Sequence, residues 1–360
     1  RPLSETDVLD LIQHSAKKTC TLDPVPTSLV TSCLTELLPI VTRIINCSLE
    51  TGRFPNDWKE ALVSPLLKVP GLTSEFTNLR PISNLQYVSK LTERAAFEQL
   101  HAYMSDYRLY PLLQSAYRTC HSRETALVKV QNDILLNMDS QRVSLLVLLD
   151  LVSAAFDTVN HGVLLNRLRS SFGIKGTVLQ WFASYLSGRS QRVSFDQKQS
   201  EKFLLTCGVP QGSCLGPLLF TIYASKLFEV IKGYLPQAHA YADDTQLYFS
   251  FQADSVISQN DAVDAMEKCI KAIRSWMVKD KFCLNDSKTG FILIGTRQQL
   301  VMVNIEGLRV GENSIALVSS VKNLGSWFDA NMSMVTHINK ICKAASFHLY
   351  NISRIRKVLN

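Results

Sequence analysis

His239-Ala240-Tyr241-Ala242-Asp243-Asp244-Thr245-Gln246-Leu247-Tyr248-Phe249-Ser250-Phe251 is the stretch from which the rest of the chain is read. Aromatic and aliphatic residues frame two adjacent acids, a pattern that predicts a β-hairpin with Asp243 and Asp244 at its tip. Neighbouring carboxylates in an apolar frame repel each other, so holding them together calls for a surface turn or for a divalent cation. The pair alone does not decide between the two. Upstream, Val143-Ser144-Leu145-Leu146-Val147-Leu148-Leu149 is an apolar run ending in Asp150. It predicts a buried strand that delivers a carboxylate at its C-terminal end, although Asp150 also reads as the N-cap of a following helix. A strand-end acid with a hairpin pair is the constellation that two Mg²⁺ ions about 3.5–4 Å apart require for phosphoryl transfer.

Between these acids lies Cys207-Gly208-Val209-Pro210-Gln211-Gly212-Ser213-Cys214-Leu215-Gly216-Pro217-Leu218-Leu219-Phe220. Glycine lets backbone approach a base or sugar closely and Pro210 stiffens the turn. By itself Gly-Val-Pro-Gln-Gly is equally a plain left-handed turn. Leu149-Asp150 with Ala155-Phe156-Asp157, then Gly208-Val209-Pro210-Gln211-Gly212-Ser213, then Tyr241-Ala242-Asp243-Asp244, in that order, resemble a reverse transcriptase. Leu79-Arg80-Pro81-Ile82-Ser83-Asn84-Leu85 upstream makes the match one to the non-LTR (LINE-type) retrotransposon class. The resemblance runs from about Trp58 to the C-terminus.

The resemblance implies an α+β, right-hand polymerase fold. Residues 1–60 would form a helical N-terminal extension, 61–144 the fingers, 145–330 a palm with an antiparallel sheet backed by helices, and 331–360 the start of a thumb. It implies RNA-directed DNA polymerisation by two-metal nucleotidyl transfer, with Mg²⁺ or Mn²⁺ in its place. Asp150 and Asp243 would hold the ions, and Asp244 would support the ions or the primer end. Lys288 stands where a family lysine lies near the leaving pyrophosphate as a general acid, and otherwise reads as a surface residue. Arg80 and Arg118 stand where fingers residues meet the incoming triphosphate, a task for a planar, multidentate, permanently charged group; each also reads as a solvated arginine. Phe156 resembles the bulky gate that packs under the sugar and excludes a 2′-hydroxyl, and also reads as a core aromatic. Gln211 and Gly212 would line the nascent base pair, and Leu324 and Gly325, within Val321–Asp329, would grip the primer end. Leu79 stands where the family more often has an aromatic, and Gly290 where it often has Glu.

The partners implied are an RNA template, a DNA primer and dNTPs, in a longer polyprotein with a separate endonuclease. Localisation would be the nucleus, with assembly on RNA in the cytoplasm. The competing reading is a degraded or domesticated copy that only binds nucleic acid. The retained acids favour the enzyme; irregularities at Val152 and Gly290 favour the rival.

Composition sets the outer bounds. A chain of 360 residues, 46% hydrophobic and 19% charged, can bury a sizeable core in more than one subdomain. No run approaches the 18 or more apolar residues of a membrane span. The start, Arg1-Pro2-Leu3-Ser4-Glu5, has neither an initiator Met nor a signal-peptide pattern, and reads as a cut from a longer polyprotein. Net charge +7 and pI 8.9 suit a polyanionic partner, and after Asp329 there is no acid, only Lys340, Lys343, Arg354, Arg356 and Lys357. The nine cysteines are scattered without Cys-x-x-Cys, which favours free thiols in a reducing compartment over a zinc site.

Periodicity then places the elements. Residues 1–60 read as helices punctuated by Pro24, Pro26 and Pro39. Strands are predicted at 61–68 and 291–294, an extended stretch at 112–118, and a hairpin from 191–195 with 201–206. Short strands are predicted over 301–318. Helices are predicted over 89–103, 125–135, 162–171, 177–186 and 255–278, and from the Gly208–Gly212 loop through 231. From Ser333 onward, Ile338, Ile341, Ala345, Leu349, Ile352 and Ile355 form one helical stripe.

One spacing departs from the family. Similar enzymes place four residues between the catalytic Asp and the gating Phe; here Leu151, Val152, Ser153, Ala154 and Ala155 intervene. Sheet neighbours should pin the strand's register, because a slip of one residue reverses every side chain, so the surplus is expected to bulge just after Asp150. A misplacement there costs about 10²-fold in rate. Deleting Val152 should therefore raise primer extension and the preference for dNTPs over rNTPs, measured in parallel; a deletion no better than the parent means the extra residue is accommodated.

Overall fold

The structure, a computed structural model, describes residues 1–68, 71–150, 156–196, 198–282, 289–310 and 313–356, with the backbone alone at Asp150, Val310 and Asn313. The expected bulge at Val152 and the candidate acid Lys288 lie outside the described residues. In chain order the helices are α1 (Glu5–Gln13), α2 (Thr27–Ser32), α3 (Leu34–Thr51), α4 (Tyr87–Asp106), α5 (Arg123–Asp139), α6 (His161–Ser170), α7 (Gly176–Leu186), α8 (Gly216–Ala224), α9 (Leu227–Lys232), α10 (Val256–Lys279), α11 (Arg297–Val301) and α12 (Val335–Ile355). The strands are β1 (Glu60–Leu67), β2 (Leu79–Asn84), β3 (Arg142–Asp150), β4 (Ser190–Phe195), β5 (Lys198–Gln199), β6 (Phe203–Leu204), β7 (Gln237–Tyr241), β8 (Asp244–Gln252), β9 (Gly290–Ile294), β10 (Gly307–Val310), β11 (Asn313–Ala316), β12 (Ser320–Asn323) and β13 (Ser326–Asp329). They fall into two compact units. The first is Arg1–Pro111 with Ala154–Ser225 and Asp280–Phe282; the second is Leu112–Ser153 with Lys226–Lys279 and Cys283–Asn360.

In the first unit, a capping box starts α1: the Ser4 hydroxyl accepts from the Asp7 amide while the Asp7 carboxylate accepts from the Ser4 amide. Val8, Leu11 and Ile12 then pack with Val41 and Ile45 of α3 and Tyr87, Leu91 and Ala95 of α4. Pro39 does not punctuate this region as the sequence suggests; it lies inside α3. Its missing N–H removes one intrahelical bond, and the helix continues because Val41 and Ile45, beyond it, are buried in that cluster.

The sheet of this unit runs β2-β1-β4-β5, with β6 also on β4. β1 pairs antiparallel with β2, from Leu62↔Asn84 to Leu67↔Leu79, and parallel with β4, from Glu60↔Ser190 to Val63↔Val193. The 190–206 stretch, grouped with the palm on sequence, thus hydrogen-bonds to the strand beside Arg80. The helix expected from Gly208–Gly212 begins only at Gly216 and stops at Ala224, with α9 a separate element. The delay has a local cause: Ser213 closes a turn onto the Pro210 carbonyl, and its hydroxyl then accepts from the Gly216 amide at 2.9 Å.

Behind that loop lies a buried ion pair. Glu93 of α4 and Arg189 are 0% and 1% exposed, 3.8 Å apart. The second Glu93 oxygen accepts from the Cys214 amide at 3.0 Å, and Arg189 Nε donates to the Tyr185 carbonyl at 2.8 Å with its guanidinium over the Tyr185 ring. Burial pushes the Glu93 carboxyl up from the ordinary range, and Arg189 opposes that shift.

The second unit is built on the antiparallel sheet β7-β8-β3-β9. β3 is buried nearly throughout, which is why its sequence is a continuous apolar run rather than an alternation. Leu146, Tyr248 and Ile292 are cross-strand neighbours in the register, and Val130 and Ile134 of α5 pack on them. Of the face that the sequence predicts to be buried on α10, Ala262, Met266, Cys269, Ile270, Ile273 and Met277 are buried and Ala265 and Trp276 only partly so. The hairpin β12–β13 joins the α5 side of the core through Val321 and Phe328. Residues 112–118 are less regular than the predicted extended stretch: one parallel bridge, Gln114↔Ala240, precedes turns with positive φ at Tyr117 and Cys120. Residues 297–301, at the edge of the region read as short strands, are helical. α12 carries its apolar stripe exposed. Among the described residues, no helix is long and apolar enough to cross a membrane.

Glu93→Ala should destabilise the fold by about 3–5 kcal/mol in chemical denaturation, because it strands a buried guanidinium. Glu93→Leu with Arg189→Met should lose much less than that single change; a double variant as damaged as Glu93→Ala contradicts the assignment.

Candidate active site

The β3–β8 register fixes where the acids stand. Leu145 pairs with Phe249, Val147 with Leu247, Leu149 with Thr245, and the ladder ends at Asp150 opposite Asp244. Paired residues on antiparallel strands have Cα atoms about 4.5–5.5 Å apart, so the strand-end acid and the hairpin acid come together through backbone pairing alone. β7 ends at Tyr241 and β8 begins at Asp244, with Tyr241↔Asp244 closing a two-residue turn of Ala242 and Asp243. Asp243 is half-buried and Asp244 exposed.

Ala242 has φ +57°, the left-handed region. Positive φ at the first turn residue is the habit of a type II′ hairpin, where glycine is the ordinary occupant. Alanine there costs about 1–2 kcal/mol. The cost is offset by the segment before α5. Ala240 donates to the Leu113 carbonyl and accepts from the Ser115 amide, at 2.8 and 3.0 Å. Gln114, 1% exposed, extends this pairing with its side chain. Its Oε1 accepts from the Ala242 amide at 2.9 Å and its Nε2 donates to the Ala242 carbonyl at 3.1 Å. The same Oε1 accepts from the Ala116 amide at 3.0 Å. Next to it the Ser115 hydroxyl and His239 Nε2 are 2.8 Å apart, and burial lowers the His239 pKa to about 4, so the ring is neutral near pH 7. Burial and the neighbouring Asp243 charge push the Tyr117 phenol up to about 12. Arg118 donates to the Gln114 carbonyl at 3.1 Å, which puts this candidate triphosphate contact in the segment that braces the acidic tip.

The tip carries the carboxylates Asp243 and Asp244, and the backbone of β3 ends opposite them at Asp150. Hard oxygen donors fit Mg²⁺ or Mn²⁺ and not a thiolate- or imidazole-seeking ion. Leu324 and Gly325, with φ of +47° and +98°, form the turn of β12–β13. That hairpin is tied to β8 by a buried bond in which Gln246 Nε2 donates to Asn323 Oδ1 at 3.1 Å. Beyond it Lys340 of α12 lies 5.1 Å over the Trp327 ring.

The other candidates cluster in the first unit. The Ser83 amide donates to the Gln211 carbonyl at 2.7 Å, joining β2, which carries the exposed Arg80, to the glycine loop. Gly212 has φ +114°, and a Cβ there would come within 2.9 Å of the Ser83 carbonyl, so the approach requires glycine. The loop is also stitched to the segment after Asp150. Val209 donates to the Phe156 carbonyl and Gly208 to the Val159 carbonyl, both at 2.8 Å, while His161 Nε2 contacts the Gly208 carbonyl at 2.8 Å. Half-buried Phe156 stacks on Phe220 with ring centroids 5.3 Å apart, so the gate candidate is held by α8.

Sequence reasoning missed Gln114, His161 and Glu93. On sequence His161 reads as a polar residue near a helix start, and it does open α6; its contact with the loop is the part that the sequence does not signal. Asn160 takes the capping role, accepting from the Val163 amide at 3.0 Å.

Residues 69–328 match the family model described as reverse transcriptase (RNA-dependent DNA polymerase). The sequence is 26% identical to "Probable RNA-directed DNA polymerase from transposon BS" of Drosophila melanogaster, over 100% of this chain and 39% of that protein. It is 26% identical to "RNA-directed DNA polymerase from mobile element jockey" of Drosophila melanogaster, over 86% of this chain and 33% of that protein. The chain thus spans well under half the length of these curated relatives. Among solved structures, apo telomerase from Candida tropicalis, truncated from its C-terminal domain, superposes with TM-score 0.50 at 13% identity, covering 76% of this chain and 54% of that one. That likeness shows the fold, the α+β right hand that the motifs imply.

Proposed function

The chain belongs to the reverse transcriptase family, and on that premise we propose that it extends a DNA primer on an RNA template, adding nucleotides from dNTPs and releasing pyrophosphate. The non-LTR, LINE-type resemblance is borne out by the mobile-element polymerases it matches. The observation that carries the activity is the register that ends with Asp150 opposite Asp244, beside Asp243 in the turn. The binding-only reading is not favoured, since these relatives are named as polymerases.

Reverse transcriptases work with divalent metals, and in this chain Asp150 and Asp243 would hold two Mg²⁺, or Mn²⁺ in their place, with Asp244 in support. Such ions supply Lewis-acid activation of the primer 3′-hydroxyl and charge neutralisation at the triphosphate. The protein's own residues do the positioning. Arg80 and Arg118 bind triphosphate oxygens with planar, permanently charged guanidinium groups. Gln211 and Gly212 present backbone and amide to the nascent pair, and Phe156, braced on Phe220, closes the space under the sugar. Leu324 and Gly325 hold the primer end. Lys288 protonates the leaving pyrophosphate. The basic face of α12 follows the nucleic-acid backbone. The chain would act as part of a longer polyprotein with a separate endonuclease, in the nucleus after assembly on RNA in the cytoplasm.

Asp243→Asn keeps the shape of the turn and removes one metal-binding charge. It should lower primer extension on an RNA template by about a thousandfold or more, the loss of several kcal/mol of transition-state stabilisation, while thermal melting and RNA binding stay near the parent's. Extension at the parental rate means the metal assignment is wrong.

A further inference from the structure

The acidic tip is held in a conformation that its own sequence does not favour. Ala242 has φ +57° in a turn where glycine would be unstrained, and it directly precedes Asp243. The local Tyr241↔Asp244 pairing closes the turn around it. The pinning group comes from 128 residues earlier: the Gln114 amide is bonded to both the N–H and the carbonyl of Ala242. The side chain therefore acts as one more residue of strand, continuing the Leu113–Ser115 pairing along Ala240 by one step onto the turn. Its third bond, to the Ala116 amide, locks the amide plane, and burial excludes water that could replace these bonds.

We propose that Gln114 is a positioning residue for the metal site: it fixes the backbone of Ala242 so that the Asp243 carboxylate is presented to a divalent cation without reorganisation. Its amide faces peptide groups of Ala242 and Ala116, so it acts through the turn and does not need to touch cation or nucleotide. The proposal rests on the polymerase reading only for its rate measurement; its binding measurement stands apart. A second consequence is specific to this geometry. Because the strain resides in a non-glycine residue at positive φ, glycine at 242 should make the clamp partly dispensable.

The experiment compares the full chain with Gln114→Met, Ala242→Gly and the double variant, by Mn²⁺ titration with the free ion followed by electron paramagnetic resonance. Methionine fills the same volume and removes every bond of the amide. Gln114→Met should weaken Mn²⁺ binding about tenfold, the usual scale for a lost outer contact to a metal ligand. It should lower kcat for primer extension about 10- to 100-fold, with KM for dNTP within about twofold. In the double variant Ala242→Gly should recover a large part of the Mn²⁺ affinity lost in Gln114→Met, with Ala242→Gly alone as the reference for that comparison. Should Gln114→Met fail to fold, Gln114→Asn, one methylene shorter and too short to span Ala242, carries the same expectation. Parental Mn²⁺ affinity in a Gln114 variant overturns the proposal, and so does a loss that Ala242→Gly does not relieve. A parent that binds Mn²⁺ but extends no primer sinks the polymerase reading, and the Mn²⁺ comparison still decides this one.

Discussion

The pairing of β3 with β8 is the constraint on which the site depends. Two carboxylate-bearing segments that repel each other are brought into apposition by a ladder running from Arg142↔Gln252 to Asp150↔Asp244. The ladder is stabilised far from the charges, by Val143 to Leu149 and the residues of β8 and β9 packed on them. A shift of one residue in this register would exchange the two faces of β3 and separate the acids, so burial of the apolar run and placement of the acids are one event. The turn at Ala242–Asp243 then adds the last element of geometry, and Gln114 braces it from outside the hairpin.

The first unit shows a comparable division of labour. The glycine loop must come close to β2, as the Ser83–Gln211 bond and the 2.9 Å limit at Gly212 show. A loop with that freedom needs anchors. They are the Phe156 and Val159 carbonyls, His161, and the buried Glu93, which accepts from the Cys214 amide where the loop gives way to α8. Burying Glu93 and Arg189 is costly, so the pair is weak evidence for stability; what it secures is the position of the loop relative to α4 and α7.

The periodic elements were legible in the sequence. The aromatic and aliphatic hairpin around the acids, the apolar run of β3 and the 3.6-residue stripe of α10 carry their own signals, because burial on one or two faces imposes a pattern on neighbouring residues. Partners distant in sequence were not legible. The parallel pairing of β4 with β1 joins segments separated by well over a hundred residues, and no local pattern encodes it. The late start of α8 depends on the Ser213 hydroxyl capping Gly216, which competes with helix from the first loop residue onward. Gln114 gave no signal of its own: within a stretch predicted only as extended, a glutamine carries no mark of the peptide it serves until that peptide is brought beside it. Pro39 shows the converse, a strong local signal overridden by burial of the residues that follow it.

The central claim is that the β3–β8 ladder brings Asp150 and the Asp243–Asp244 turn around one divalent-cation site. Replacing Mg²⁺ by Fe²⁺ and adding ascorbate and peroxide cuts the backbone beside a bound ion, and the fragments map the site directly. Cleavage is expected at two places in the same protein, next to residue 150 and next to residues 243–244. Both cuts should be suppressed together by excess Mg²⁺ and by Asp243→Asn. Cleavage at only one of these places, or at neither, would contradict the account.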